Sequence, residues 1–147
     1  MATRAFSVEA GNLASSLVSS RAIDYKDIDL SFTRNTINDI YKKIDAEAVK
    51  QSVKNIILTN LGEKPFQPSF GTQIRDLLFE LASDPFIKSD IRDRISQSIT
   101  RFEPRALIES IKVYLNPDSN ILAVDIIFQV VNTDETVNLN VTLSRLR

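Results

Sequence analysis

Residues 107–144 read LIESIKVYLNPDSNILAVDIIFQVVNTDETVNLNVTLS, and the periodicity of this stretch decides the fold. Leu107, Glu109, Ile111, Val113 and Leu115 fall on one side and Ile108, Ser110, Lys112 and Tyr114 on the other, the period of two that predicts a strand. Asn116, Pro117, Asp118, Ser119 and Asn120 then bring turn-forming residues together. Leu122, Val124, Ile126, Phe128 and Val130 make a second run, and Asn132, Thr133, Asp134 and Glu135 a second turn. In the third run Val137, Leu139, Val141 and Leu143 alternate with Asn138, Asn140, Thr142 and Ser144. Links this short cannot make parallel crossovers, so the segment predicts a three-stranded antiparallel meander.

Upstream of Pro104 the period changes to 3.6. Ile87, Ile91, Ile95, Ile99 and Phe102 recur every three or four positions, with Arg92, Asp93, Arg94, Gln97 and Arg101 on the wet side. Asp84 and Pro85 suit the N-cap and first position of this helix, and it ends at Glu103 because a residue before proline is disfavoured in the helical region. A shorter helix precedes it, with Ile74, Leu77, Leu78 and Leu81 on one face and Thr72 placed to cap it. The first helix follows Asp45, buries Val49, Val53, Ile56 and Ile57, and reaches Asn60, with Gly62 expected as its C′ residue. Between the first two helices, residues 64–71 (KPFQPSFG) hold Pro65, Phe66, Pro68, Phe70 and Gly71, a rigid turn pinned by aromatic rings. Phe66, Phe70 and Phe79 are expected in the core beside the helix stripes. Residues 25–32 (YKDIDLSF) alternate like a short extended segment, and residues 1–24 follow neither period. The fold class expected is α+β, three N-terminal helices packed on a C-terminal three-stranded antiparallel meander, with or without one extra short N-terminal strand. Residues 1–24 are read as an arm that orders against a neighbour, and 25–147 as a single domain.

Composition narrows the chemistry. The 147 residues carry 18 Lys and Arg against 19 Asp and Glu, a net charge of -1, which gives no field to draw the chain to nucleic acid or an anionic membrane. Having no Cys and no His, the chain lacks disulfides, thiolate nucleophiles, the usual zinc ligands and His-based catalysis. Three glycines form no phosphate-cradling motif, and Asp24, Asp27 and Asp29 lack the Gly and Glu of a calcium loop. No cofactor or metal is therefore expected. No apolar run approaches the ~20 residues of a membrane span, and the first ten residues lack the apolar stretch of a secretion signal, so the chain is expected to start in the cytoplasm. Carboxylate chemistry survives this filter; a muramidase using two carboxylates is the enzymatic alternative.

Two places look made for contact. The run Thr136, Val137, Asn138, Leu139, Asn140, Val141, Thr142, Leu143 and Ser144 has neither charge nor proline, and at about 3.4 Å per residue it extends for roughly 30 Å. Edge strands are normally blunted by Lys, Pro or bulges, so this strand, if outermost, is a template for strand addition from another subunit. The alternative is that residues 25–32 cover it within the chain. The second place is the triplet Glu103, Pro104 and Arg105 at the junction of helix and strand. A carboxylate there faces the negative end of the helix dipole and needs a cation. Arg105, Arg101 or Lys112 can supply it within the chain, or Glu103 and Arg105 can both reach a partner.

Residues 51–80 (QSVKNIILTNLGEKPFQPSFGTQIRDLLFE) and 101–106 (RFEPRA) resemble the baseplate wedge proteins of contractile phage tails, a family with counterparts in other contractile injection systems and an older lysozyme-like label. The resemblance lies in the apolar helix before Gly62, the turn at Pro65, Phe66, Pro68, Phe70 and Gly71, the sequence Leu78-Phe79-Glu80, the Glu103-Pro104-Arg105 triplet, and the YKDID start at Tyr25. It runs from Tyr25 to the C-terminus. It implies a non-enzymatic structural subunit of the virion tail baseplate, near the tail tube in a six-fold assembly built in the host cytoplasm. Its partners would be other baseplate wedge proteins, the tail sheath protein and tube-proximal baseplate proteins, with neither nucleic acid nor membrane. The triplet would dock on the wedge core, and the last strand would accept strands from the first sheath ring. Lys64 stands where such proteins often have Arg, and Lys serves a bidentate contact less well.

Overall fold

The computed structural model describes residues 25–77, 86–116, 121–131, 133 and 135–144. The expected arm at 1–24, the helical residues Leu78 and Leu81, Phe79, the Asp84-Pro85 helix start and the turn at 117–120 lie outside the described residues. In chain order the elements are β1 (Lys26–Ile28), β2 (Lys42–Ile44), α1 (Ala46–Leu58), α2 (Ile74–Leu77), α3 (Ile87–Phe102), β3 (Ala106–Asn116), β4 (Ile121–Val130) and β5 (Thr136–Ser144). The fold is α+β: β3, β4 and β5 form an antiparallel sheet in that order, and β1 pairs with β2 in a separate antiparallel ribbon.

One apolar cluster joins helices and sheet. Ile87, Ile91, Ile95 and Ile99 form a single i, i+4 stripe along α3, and Val49, Val53 and Ile57 a matching stripe on α1. They meet the inward rows Leu122, Val124, Ile126, Phe128 and Val130 of β4 and Val137, Leu139, Val141 and Leu143 of β5. Each such side chain contributes about 1.5–3 kcal/mol when fully buried. The alternation expected for β4 and β5 is the alternation found.

Strand β3 departs from its expected pattern. Leu107, placed by simple alternation on the same side as Ile111, is 53% exposed, whereas Ala106, Ile111 and Val113 are buried. The register explains why: Ile108 pairs with Phe128 but Ser110 pairs with Ile127, so Glu109 is an extra residue in a β-bulge. One inserted residue exchanges the two faces of everything on its N-terminal side.

Three further expectations need correction. Helix α1 stops at Leu58, and Gly62 is not its C′ residue: Thr59 is extended, and both its N–H and its hydroxyl donate to Asn55 O, at 3.0 and 2.7 Å. Gly62 instead sits at φ 84 in the following turn and donates its N–H to Pro68 O at 2.8 Å. Thr72 does not cap α2, because its hydroxyl donates inward to Ile57 O at 2.9 Å. Phe66 is not core; its side chain is 106% exposed. Only Phe70 pins the 64–71 turn, packing its ring 5.1 Å from that of Phe102. Gly71 is required where it stands: at φ 107, a Cβ would come within 2.3 Å of Thr59 O.

The β1–β2 ribbon is tied to α1 by a buried glutamine. Gln51 Nε2 donates to Ile28 O at 2.8 Å and to Asp27 Oδ2 at 3.2 Å, while its Oε1 accepts from Leu30 N–H at 3.4 Å. Asp45, just before α1, exchanges backbone and side-chain bonds with Tyr25: its N–H donates to Tyr25 O at 2.7 Å, and its Oδ1 accepts from Tyr25 N–H at 3.1 Å. Residues 26–28 therefore pair with β2 and not with β5.

Candidate functional site

The Glu103-Pro104-Arg105 corner is built by the end of α3. Glu103 N–H closes the helix on Ile99 O at 2.7 Å, Pro104 prevents a further turn, and Ala106 N–H returns to Glu103 O at 3.1 Å as β3 begins. Glu103 is only 2% exposed. Its two carboxylate oxygens accept a fork from Arg105: Nη2 donates to Oε2 at 2.7 Å and Nε to Oε1. The Ser52 side chain on α1 adds a further hydrogen bond. Burial pushes the Glu103 carboxyl upward, but the Arg105 fork, the Ser52 bond and the Arg105 charge together hold it below its ordinary value of 4.5. Arg105 is shifted the other way, raised chiefly by the hydrogen bonds to Glu103 against the opposing effect of burial.

Of the three cations that could offset the helix dipole at Glu103, Arg105 is the one that does. Its side chain remains 37% exposed, and its guanidinium lies 4.7 Å from the Tyr25 ring centroid. Pro104 is exposed. The corner thus presents Pro104 and the outer edge of a guanidinium whose orientation Glu103 fixes from inside. Ser52 and Tyr25 belong to this corner too. Their types and sequence distances from Glu103 gave no signal for that, since any Ser or Tyr packed there would look alike in the sequence.

Strand β5 forms one side of the sheet, pairing with β4 from Ile121–Ser144 to Gln129–Thr136 without a register shift. The opposite edge, β3, is blunted by the Glu109 bulge and by exposed Lys112, while β5 has no charge, proline or bulge. Space lies beside it. A groove of about 1020 Å³ runs between Leu30 and Lys43 of the ribbon with Lys50, Lys54 and Leu58 from α1 and its end on one side, and Asp125 of β4 with Asn138, Leu139 and Asn140 of β5 on the other. A second, of about 440 Å³, shares Glu47, Lys50 and Asn138 with it and extends to Glu135, Thr136 and Val137. The chain's own residues bring the β5 edge, α1 and the β1 end together, and the same two segments reach the Glu103 corner through Ser52 and Tyr25.

The turn of Pro65, Phe66, Pro68, Phe70 and Gly71 is held against the end of α3 by the Phe70–Phe102 contact. Lys64 Nζ lies 3.9 Å over the Phe70 ring, a role a point charge fills without a bidentate fork. Among the described residues, no group of three His, Cys, Asp or Glu could hold a metal ion, and no helix is long and apolar enough to cross a membrane.

Comparison with known proteins adds a specific result. A family model described as "Baseplate wedge protein gp25" matches residues 44–135. The baseplate wedge protein gp25 of Enterobacteria phage T4 is 30% identical over 115 residues, covering 77% of this chain and 85% of that protein. A chain of the anti-feeding prophage baseplate superposes with a TM-score of 0.65 at 25% identity, covering 74% of this chain and 87% of that one. A Geobacter sulfurreducens protein provisionally called a tail lysozyme gives 0.59 at 23% identity, covering 69% of this chain and 91% of that one. At that identity the likeness concerns the fold alone.

Proposed function

The chain belongs to the baseplate wedge protein gp25 family, and we propose that it anchors in the wedge of a contractile tail, close to the tail tube, and starts the sheath by accepting a strand along β5. As a baseplate wedge protein of phage-like contractile systems it has other baseplate proteins as neighbours. The finer assignments are these: Glu103, Pro104 and Arg105 contact the wedge core, and Thr136 to Ser144 contact the sheath protein, in a six-fold assembly completed in the host cytoplasm.

The observation that carries the reading is the contrast between the two edges of the sheet. An incoming strand at β3 meets a bulge and charges; at β5 it meets a regular row of backbone donors and acceptors with a groove alongside. At the corner, Glu103 acts from beneath: it holds Arg105 in one rotamer, and the exposed guanidinium edge with Pro104 is what a partner meets.

The test is to place Lys at Asn138 and Thr142, both exposed and both on the outer face of β5. The double variant should melt close to the wild type and enter the wedge, yet carry no sheath in electron micrographs of purified tails. Sheaths of normal length on that variant would refute strand addition at β5. Glu103 is poorly suited to be the acid of the muramidase alternative, since that role needs a raised carboxyl pKa and the Arg105 fork lowers this one. Peptidoglycan turnover by the purified chain that Glu103→Gln abolished would reverse that judgement.

A further inference from the structure

The 64–71 turn has no part in the reading above, yet it carries the most exposed large apolar side chain among the described residues, Phe66. The exposure is built in by the backbone. Phe66 has φ 63, a left-handed conformation that bulky L-residues rarely adopt. The turn is held from every side: Gln67 N–H donates to Lys64 O at 3.3 Å, Phe70 N–H to Gln67 O at 3.0 Å, and Gly62 N–H to Pro68 O at 2.8 Å. Pro65 and Pro68 restrict their own φ angles. Phe70 fastens the turn to Phe102, one residue before the Glu103 corner.

The mount is flanked by two cations. Lys64 Nζ lies 3.9 Å over the Phe70 ring, and the Arg101 guanidinium 5.2 Å from the Phe102 ring centroid. Among the described residues neither meets a carboxylate, unlike Arg75, which pairs with Glu63, and Arg94, which pairs with Asp90. A side chain carried on a backbone that is already held spares the cost of ordering that backbone on binding, and aromatic residues dominate interface energetics when they enter an apolar pocket.

We infer that this turn is a second docking element: Phe66 enters an apolar socket on a different baseplate protein, and carboxylates on the socket's rim meet Lys64 and Arg101. The inference rests on the wedge reading for the class of partner but makes no use of β5.

The test is a competition in cells that make the whole tail. Wild type is co-expressed with Phe66→Gly, Phe66→Trp or the Lys64→Glu/Arg101→Glu double variant, and the ratio of the two chains in purified tails is read by mass spectrometry. Phe66→Gly should melt no lower than wild type, because glycine suits φ 63 and the ring is fully exposed. In tails it should be depleted at least ten-fold, as should the double variant, while Phe66→Trp persists. Equal representation of Phe66→Gly would overturn the inference and leave the β5 reading standing, since that one is read from sheath growth. A wild-type chain that sediments alone as a dimer, broken by Phe66→Gly, would make a second copy the occupant and overturn the heterologous partner. Absence of the wild-type chain from tails would overturn the wedge reading and this inference with it.

Discussion

Arg105 is the residue on which the corner turns. Removing its side chain leaves the Glu103 carboxylate buried with the Ser52 bond and the backbone N–H of residue 105 as its remaining support. Arg105→Ala should therefore cost about 2 kcal/mol, less than the ~3–5 kcal/mol of breaking a fully buried pair, because the guanidinium is more than a third exposed and partly screened. The pH dependence has a definite sign. The folded-state pKa of Glu103 is depressed, so its stabilisation is fully present above the unfolded-state value and is lost as pH falls through the folded one. The stability gap between wild type and Arg105→Ala, measured by denaturant unfolding, should shrink as pH falls through the carboxyl range, because Glu103 without the fork is left to the raising effect of burial and takes up its proton at a higher pH than in the wild type. A gap that widens on acidification would mean that Glu103 is not the group Arg105 supports. The triplet could be picked out in the sequence because Pro104 separates two opposite charges at a helix end. Which charge is buried could not, since that depends on α1 delivering Ser52 from far upstream in the sequence.

Among the elements, β4 and β5 were legible because nothing interrupts their alternation, and α1 and α3 because their buried stripes are unbroken. Strand β3 was legible as a strand but not as a bulged one. Leu107, Glu109, Ile111 and Val113 form a regular alternation in the sequence, and only pairing with β4 reveals that Glu109 is the extra residue. Strand β2, Lys42-Lys43-Ile44, is too short to show any period and escaped notice. The bulge makes a sharp prediction about deletions. Removing Glu109 gives β3 a regular ladder with Ala106, Ile108, Ile111 and Val113 still facing inward, so that variant should fold with a melting temperature near the wild type's. Removing Lys112, at a regular position, turns one half of the strand inside out and should abolish cooperative unfolding. If the two deletions behave alike, the bulge is not at Glu109. The Glu109 deletion should also aggregate faster, since it removes both a charge and the irregularity that protect this edge.

For the molecule as a whole, the helices cover one face of a three-stranded sheet, the β1–β2 ribbon is drawn to α1 by Gln51, and β5 is left with backbone bonding groups along a groove. The sequence made the unblunted strand visible. That residues 25–32 do not pair with it was decided by Lys26–Ile28 pairing with Lys42–Ile44, a choice between two partners that no local pattern distinguishes. In the proposed reading the two attachment points share α1 as their base: Ser52 supports the Glu103 corner, and Lys50 and Lys54 line the groove beside β5. The most direct measurement is a cryo-electron microscopy map of the assembled, extended tail at a resolution that traces main chain around β5. The account predicts a strand from a sheath subunit hydrogen-bonded along Thr136–Ser144 within the groove beside α1; a β5 edge facing solvent, or flanked by this chain's own residues, would contradict it.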